Sequence, residues 1–583
     1  MNRKYFLLVS LITSLMFTVL FVHNSTISQA STSKKVTLII NTRQIYEGNK
    51  MTLAQAPTQV KNGVTYVPLR ALGDIIGATT TYDAKTKEVT LSKNGNRLQL
   101  KPDAQGYSFN FEKKTFPIGK PFIDKQTTML PLRTISEHFK ATVTPKLSEN
   151  KIEIVFNQEL ESFVAEPPKP SFTTDKTEYK IGESIQYSDT TTAGTYKITK
   201  RKWINNEPAF FTSGPKQITL EVEDASGQIR RVTQTINITT EILYTREEYN
   251  IMHAKIGDKI TIDGSAVLGF DAIKYTTEDK PFTLVRSNSP ERINQEGIYY
   301  KDDIDGSARI LIHQQNERAA GAKMYIVAEN KGATDSYIHY QNVSIAGPSP
   351  YPSFTGKEAV TSYLSNLRNT NIPSVRIPAG SKTILFPELS NKSMKKNEVL
   401  TMYADIYATS EVTMKIIALD ATNQINDVYP FLQDVQAVRD GKHTRGTFPT
   451  GNRDLVINEP IGFKKGERLL FGDGKNDPYI LGTDKTSGLE EVNYGNRGVF
   501  YTIRLNEVAP NTTIVFNGRG GTYSGAIAVN GRVIRLPDQG VLSTTNDGVV
   551  LHRTGNGVEE VVIQFIPASG SNLPINLLFY PRD

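Results

Sequence analysis

The chain has 583 residues, with 67 Lys+Arg against 60 Asp+Glu and a formal charge of +7. That length exceeds what one hydrophobic core organises, and a composition of 38% apolar and 22% charged residues is globular and modular, not disordered. There is no cysteine, which removes disulfides, thiolate metal sites, iron–sulfur clusters and cysteine nucleophiles together, while 42 Gly, 29 Pro and 26 Tyr lean towards short strands and turns.

Arg3 and Lys4 precede an apolar run over residues 5–22, and Ser28-Gln29-Ala30 then places small residues where a signal peptidase cleaves. Residues 1–30 read as a secretory signal. The run is long enough that an uncleaved membrane anchor stands as the other reading. Later segments are too polar to cross a membrane, and the end of the chain offers no sorting tail. Removing residues 1–30 takes off two basic side chains and leaves +5, a weak pull towards anionic wall polymers or lipids that does not point to nucleic acid. An exported chain without disulfides suggests a bacterial, cell-envelope or extracellular setting.

Between residues 31 and 160 the chain repeats itself. Val64-Thr65-Tyr66-Val67-Pro68-Leu69-Arg70 recurs as Thr127-Thr128-Met129-Leu130-Pro131-Leu132-Arg133, and the same offset of 63 carries Ala78 onto Ala141 and Leu91 onto Ile154. Each copy reads as a strand running into a proline that opens a helix, since proline leaves no N–H unpaired in a first turn. In the first helix, 69–76, Leu69, Leu72, Ile75 and Ile76 share a face, and Gly77 ends it; Leu132, Ile135 and Phe139 share a face in the second. A hairpin follows each, over 79–82 with 88–92 and over 142–145 with 151–156.

At these residues the chain resembles the N-terminal stalk module of copper amine oxidases, which is widespread in secreted proteins of Gram-positive bacteria. Tyr66-Val67-Pro68-Leu69-Arg70-Ala71-Leu72-Gly73, then Ile76-Gly77-Ala78 and Tyr82-Asp83, carry the likeness. The module travels with many partners and implies no activity. Arg70 and Arg133 stand at equivalent places, either as ligand contacts or as helix arginines paired with Asp74 or Glu137.

The family name invites a test for oxidase chemistry, which needs three copper-binding histidines, two of them as His-x-His, and a tyrosine in Asn-Tyr-Asp/Glu. None of the seven histidines forms that pair, and Asn493-Tyr494 is followed by Gly495. No oxidase activity and no cofactor are expected. Serine-nucleophile, zinc-helix and phosphate-loop motifs are missing too. Gly518-Arg519-Gly520-Gly521 reads as a hairpin turn between strands at 512–516 and 526–529. Acidic clusters hold Asp303 and Asp305, and Asp473 and Asp477; each is either a calcium site lacking the distal glutamate of an EF-hand or a turn. His313 and His339 lie on strand-like segments that could meet across a sheet.

Residues 161–171, with Glu166-Pro167-Pro168-Lys169-Pro170, read as a linker of extended polyproline character that resists packing. A small β-sandwich follows over 172–241, with alternating runs at 218–224 and 232–238 and Trp203 as its core plug. It is similar to PKD and related Ig-like repeats of bacterial exoproteins, which act as spacers or binders of glycans and proteins. A connector over 242–265 leads to β-rich domains over 266–440 and 441–583, with strands at 323–329, 399–406, 411–418 and 499–505 and one helix at 355–367. Arg286-Ser287-Asn288-Ser289-Pro290-Glu291 is similar to the region that follows stalk modules in secreted Bacillus-type proteins. The expected fold class is therefore multidomain and predominantly β, a duplicated α+β stalk domain followed by β-sandwich modules. Two functions fit this sequence. One is a non-catalytic secreted or cell-surface protein binding the cell wall, an extracellular glycan or a protein. The other is a carbohydrate-active enzyme using carboxylates in the C-terminal β region.

Overall fold

The computed structural model describes residues 33–156, 162–432 and 444–581; the signal segment 1–30, His443 and the expected division at 440 lie outside them. The protein is multidomain and predominantly β. Among the described residues no helix is long and apolar enough to cross a membrane. Two compact units divide the chain, one holding the residues up to Tyr179 with Ile185–Pro208 and Pro215–Asn237, the other Lys180–Ser184, Ala209–Gly214 and everything from Ile238.

In the first unit the repeat builds a pseudo-symmetric domain. Strands β1 (Lys34–Ile39), β2 (Gln44–Glu47), β3 (Lys50–Leu53), β4 (Gln59–Lys61) and β5 (Val64–Pro68) precede α1 (Leu69–Ile76). After it come β6 (Thr79–Asp83), β7 (Glu88–Lys93), β8 (Asn96–Leu100), β9 (Gly106–Phe109), β10 (Glu112–Thr115), β11 (Phe122–Asp124) and β12 (Thr127–Pro131), then α2 (Leu132–His138), β13 (Ala141–Lys146) and β14 (Lys151–Phe156). Both prolines sit where a strand becomes a helix, as the repeat requires. The antiparallel pair β5–β12 joins the halves, with Met129 opposite Pro68 and Pro131 opposite Tyr66. Gly77 caps α1 at φ +71°, its N–H donating to Asp74 O and that of Ala78 to Gly73 O, a closure that side chains resist.

Each half carries a five-stranded sheet, and here the chain does something the repeat does not announce. The first hairpin continues β6-β7-β8-β9-β10, whereas the second is completed by strands from the start of the domain, in the order β13-β14-β1-β2-β3. Val36 lies opposite Ile154 and Leu38 opposite Ile152, so the first strand closes against the last. One core collects both halves, from Val36 and Leu38 through Leu72 and Leu91 to Ile135 and Ile154.

In the rest of the first unit two expectations are corrected. Of the expected 161–171 linker, residues 162–171 are extended but docked: Lys169 and Thr192 exchange backbone hydrogen bonds of 2.9 and 3.1 Å, and Glu166 O accepts from Thr195 N–H. Trp203 is not the plug of the small sandwich. It is half-buried at an edge against Phe172 and Tyr187, while Phe172, Tyr179, Ile218, Leu220 and Val222 fill the interior.

The second unit holds two six-stranded sheets and an eleven-stranded one. Leu455, Ile503 and Ile563 from one six-stranded sheet pack with Phe471, Phe516 and Leu577 from the other, the layer arrangement of a β-sandwich. A boundary near 440 does not separate two domains. Thr276–Lys280 pairs with Asn452–Val456 and Thr283–Ile293 with Gly446–Phe448, so strands from both sides share sheets. The expected connector also carries structure: helix α3 (Arg246–His253) begins at a Thr245/Glu248 capping box, and Lys259–Thr261 pairs with Asp547–Val549. Gly518–Gly521 is not a hairpin turn either, because Thr512–Asn517 and Gly525–Val529 belong to different sheets. The expected helix is present as α4 (Pro352–Asn366), burying Ala359, Val360, Tyr363 and Leu364.

At the centre of this unit Arg309, 2% exposed, makes a two-pronged ion pair of 2.8 and 2.9 Å with Asp405 on the neighbouring strand. Its remaining N–H groups reach the carbonyls of Gly451 and Gly498, and the Tyr363 hydroxyl donates to Asp405 at 2.7 Å. Burial alone would weaken the guanidinium's hold on its proton, but the charge of Asp405, the neighbouring Tyr363 and the hydrogen bonds to both together outweigh it and raise its pKa above the ordinary value.

Removing one member strands the other charge in the interior. Arg309→Met is expected to destabilise the unit by about 3–5 kcal/mol, and Arg309→Met/Asp405→Leu by clearly less, measured by chemical denaturation. In the duplicated domain, burial followed by Lys114 depresses the pKa of His138, whose ring contacts the Tyr107 hydroxyl at 2.8 Å and stacks on Phe109. The unfolded histidine therefore takes its proton first as pH falls below about 6.5, and stability present above that value is lost towards the lower folded pKa. Hydrogen-exchange protection in β9 should weaken from pH 7.5 to pH 5, and His138→Gln should flatten that dependence.

Candidate functional site

The candidates named by sequence do not assemble into one site. Arg133 pairs with Glu137 at 3.1 Å, whereas Arg70 is exposed and has no ion-pair partner among the described residues. Asp303 and Asp305 are exposed on the continuous strand Gly297–Asn316, where Gly306 at φ +74° makes a bulge, not a turn. Asp303 accepts from the Thr413 hydroxyl. Asp473 caps its own loop, accepting from the N–H groups of Lys475, Asn476 and Asp477 at 2.9–3.1 Å. Asp477 is fully buried, taking Arg453 on one oxygen and Tyr501 and Gly472 N–H on the other. Its oxygens are engaged by protein donors, and among the described residues no three His, Asp or Glu side chains form a metal-binding group. His313 and His339 do not meet: they face Thr401 and Tyr407, six positions apart along the same strand.

What the structure does assemble is a groove of about 390 Å3 that sequence reasoning did not single out. Strand Ser336–Ser349 forms its floor. Its pairing with Val399–Asp420 slips between Tyr340 and Asn342, the register irregularity of a bulge, which re-aims side chains there. Tyr340 stacks on Phe386 with centroids 4.4 Å apart, and its hydroxyl accepts the Phe386 N–H at 3.2 Å. Burial pushes this phenol above its ordinary pKa, so it stays neutral. Phe386 itself has φ +53°, a left-handed backbone that costs an aromatic residue about 1–3 kcal/mol.

Asn342 is 7% exposed and donates through Nδ2 to Tyr363 O at 3.0 Å, but its Oδ1 is buried without a partner. A stranded amide oxygen of this kind costs about 1–3 kcal/mol. Asn366 leaves the end of α4 with its Nδ2 on Val343 O, and exposed Asn369 and Asn371 follow in the loop. Glu388 and Lys392 supply the two charges of the lining. The arrangement offers amide donors and acceptors beside an aromatic pair, the equipment for holding hydroxyls on a ring with an apolar face. The density of asparagines after the helix was the signal available in the sequence.

Comparison with known proteins adds a family for one segment. The model of the copper amine oxidase N-terminal domain matches residues 45–154, within the duplicated domain and short of its first strand. No curated protein matches. Among solved structures, carbohydrate-binding modules of the β-sandwich superfamily align at 13% identity over 44% of this chain and 99% of theirs, with a TM-score of 0.12. The M60 catalytic domain with CBM51-1 and CBM51-2 of Clostridium perfringens ZmpB aligns at 9% identity over 86% and 55%, with a TM-score of 0.11. CBM51-2 with GlcNAc and INT domains of the same protein aligns at 9% over 43% and 48%, with a TM-score of 0.09. Scores this low assign neither fold nor ligand.

Because Asp473 and Asp477 are held by protein donors, neither calcium nor a chelator should move the melting temperature of the full chain. A calcium-dependent rise of several degrees would reopen both acidic clusters as metal sites.

Proposed function

We propose that the protein is a non-catalytic, exported binding protein that holds to a cell-wall polymer or extracellular glycan, with the Tyr340–Phe386 groove as a saccharide site. The run of asparagine amides along the groove carries this reading, since they can exchange hydrogen bonds with the hydroxyls of a ligand. The aromatic pair beside it suits the C–H face of a sugar ring, and Asn366, Asn369 and Asn371 suit its hydroxyls. Export rests on the apolar run after Arg3 and Lys4, and a Gram-positive, Bacillus-type source and a PKD-like sandwich rest on sequence likeness. The enzyme alternative draws no support from this groove. Glycosidic hydrolysis by two carboxylates needs a pair flanking the bond, and Glu388 stands without a second one in the lining.

The test is a glycan array followed by affinity electrophoresis of the full chain. A retained glycan should lose about tenfold in affinity with Asn369→Ala/Asn371→Ala at unchanged melting temperature. Retention indifferent to this double variant, or none on any glycan or purified wall, would overturn the groove as the site.

A further inference from the structure

A cleft of about 530 Å3 opens in the stalk domain where α1, β6 and β7 of the first repeat meet the β11–β12 hairpin of the second. Gln55, Arg70, Thr80 and Tyr82 come from one half, Lys125 and Gln126 from the other. Its charged lining residues, Arg70 and Lys125, are both cations, and neither has a hydrogen-bond or ion-pair partner among the described residues. Tyr82 is 55% exposed, a large aromatic held at the surface beside them.

The duplication supplies an internal control. A shift of 63 residues places Ile118 where Gln55 stands, Val143 for Thr80 and Pro145 for Tyr82, while Asn62 and Gly63 answer Lys125 and Gln126. Arg70 becomes Arg133, which Glu137 neutralises. One half thus has an open, polar and cationic cleft; the residues at the equivalent positions of the other are apolar, small or already paired. The hairpin turn makes the same point in backbone. Asn62-Gly63 takes positive φ of 51° and 76° with the residues such a turn favours, but Lys125-Gln126 takes 45° and 62° with residues that resist it. The cost buys two polar side chains at the lip of the cleft. The first turn of α1, which supplies Leu69 and Arg70, has no side-chain cap on its amides, so the positive end of the helix dipole adds to the same field.

We propose that this cleft binds an anionic oxygen group, phosphate or carboxylate, carried on a hydroxylated polymer. The Arg70 fork pairs with the anion, Lys125 adds a point charge, Gln55 and Gln126 meet hydroxyls, and Tyr82 offers its ring to the carbon backbone. This site is independent of the Tyr340–Phe386 groove and stands or falls separately from it.

The experiment is affinity electrophoresis of the full chain at low salt in gels containing poly(glycerol phosphate), polygalacturonate or neutral dextran. The anionic polymers should retard the protein, less as salt rises, and Arg70→Gln/Lys125→Gln should weaken retardation about tenfold. Arg133→Gln/Lys113→Gln removes the same charge elsewhere on the domain and should change it less than twofold, with melting temperatures confirming that both variants fold. Retardation on poly(glycerol phosphate) alone assigns the phosphate source, on polygalacturonate alone the carboxylate source, and on both the shared anionic group. No retardation on either, or equal weakening by the two double variants, overturns the proposal.

Discussion

The second unit is organised around a charge that has no access to water. Arg309 can be buried only because Asp405 neutralises it and because two carbonyls and the Tyr363 hydroxyl satisfy what remains, with Phe282, Tyr363 and Phe500 flanking the guanidinium plane. Those partners come from segments far apart in the chain, so the bond network exists only when Gly297–Asn316, Val399–Asp420, α4 and the loops at Gly451 and Gly498 have all arrived. Apolar packing would tolerate several arrangements of such strands. A buried ion pair with fixed geometry tolerates few, which supports its role in specifying how the sheets meet.

The duplicated domain solves a different problem, that of two similar halves competing for the same partners. Were the repeats self-contained, each hairpin could complete its sheet locally and the halves could separate. Instead β1 pairs with β14, so the first strand is needed to finish the second half, and the β5–β12 pair holds the halves at their middle. With the fold secured by this closure, side chains at one pseudo-equivalent surface are free to diverge. Glu137 and Asp74 sit at matching positions, yet the longer acid alone reaches its arginine, and that single difference leaves Arg70 available.

Local chemistry was legible and long-range pairing was not. Pro68 and Pro131 announced two helices because proline's missing N–H and fixed φ act within a few residues, and the apolar face of 359–364 announced α4 for the same reason. The interleaving of strands across 440 left no local trace, because the polar run Thr276–Lys280 reads the same whether its partner is nearby or 172–180 residues on. Trp203 misled through size alone: a large aromatic is a good edge cover when Phe172 and Leu220 already fill the interior. Asp477 was visible as an acid, but only the fold supplies Arg453 and Tyr501, which turn it from a candidate ligand into a structural counter-charge.

The groove depends on the same buried charge. Asn342 lies opposite Asp405 in the strand pairing and gives its Nδ2 to the carbonyl of Tyr363, whose hydroxyl is held by Asp405, which is held by Arg309. Ser344 and Asn366 add two more side-chain bonds between α4 and the strand, to Ala359 O at 2.7 Å and Val343 O at 3.1 Å. With its amide nitrogen fixed in this way, Asn342 keeps its carbonyl oxygen buried without a protein donor. A flexible scaffold would relax and pair that atom internally. Rigidity imposed from the ion pair therefore holds the strand under the groove in one arrangement, and a surface held ready costs a ligand less ordering when it binds.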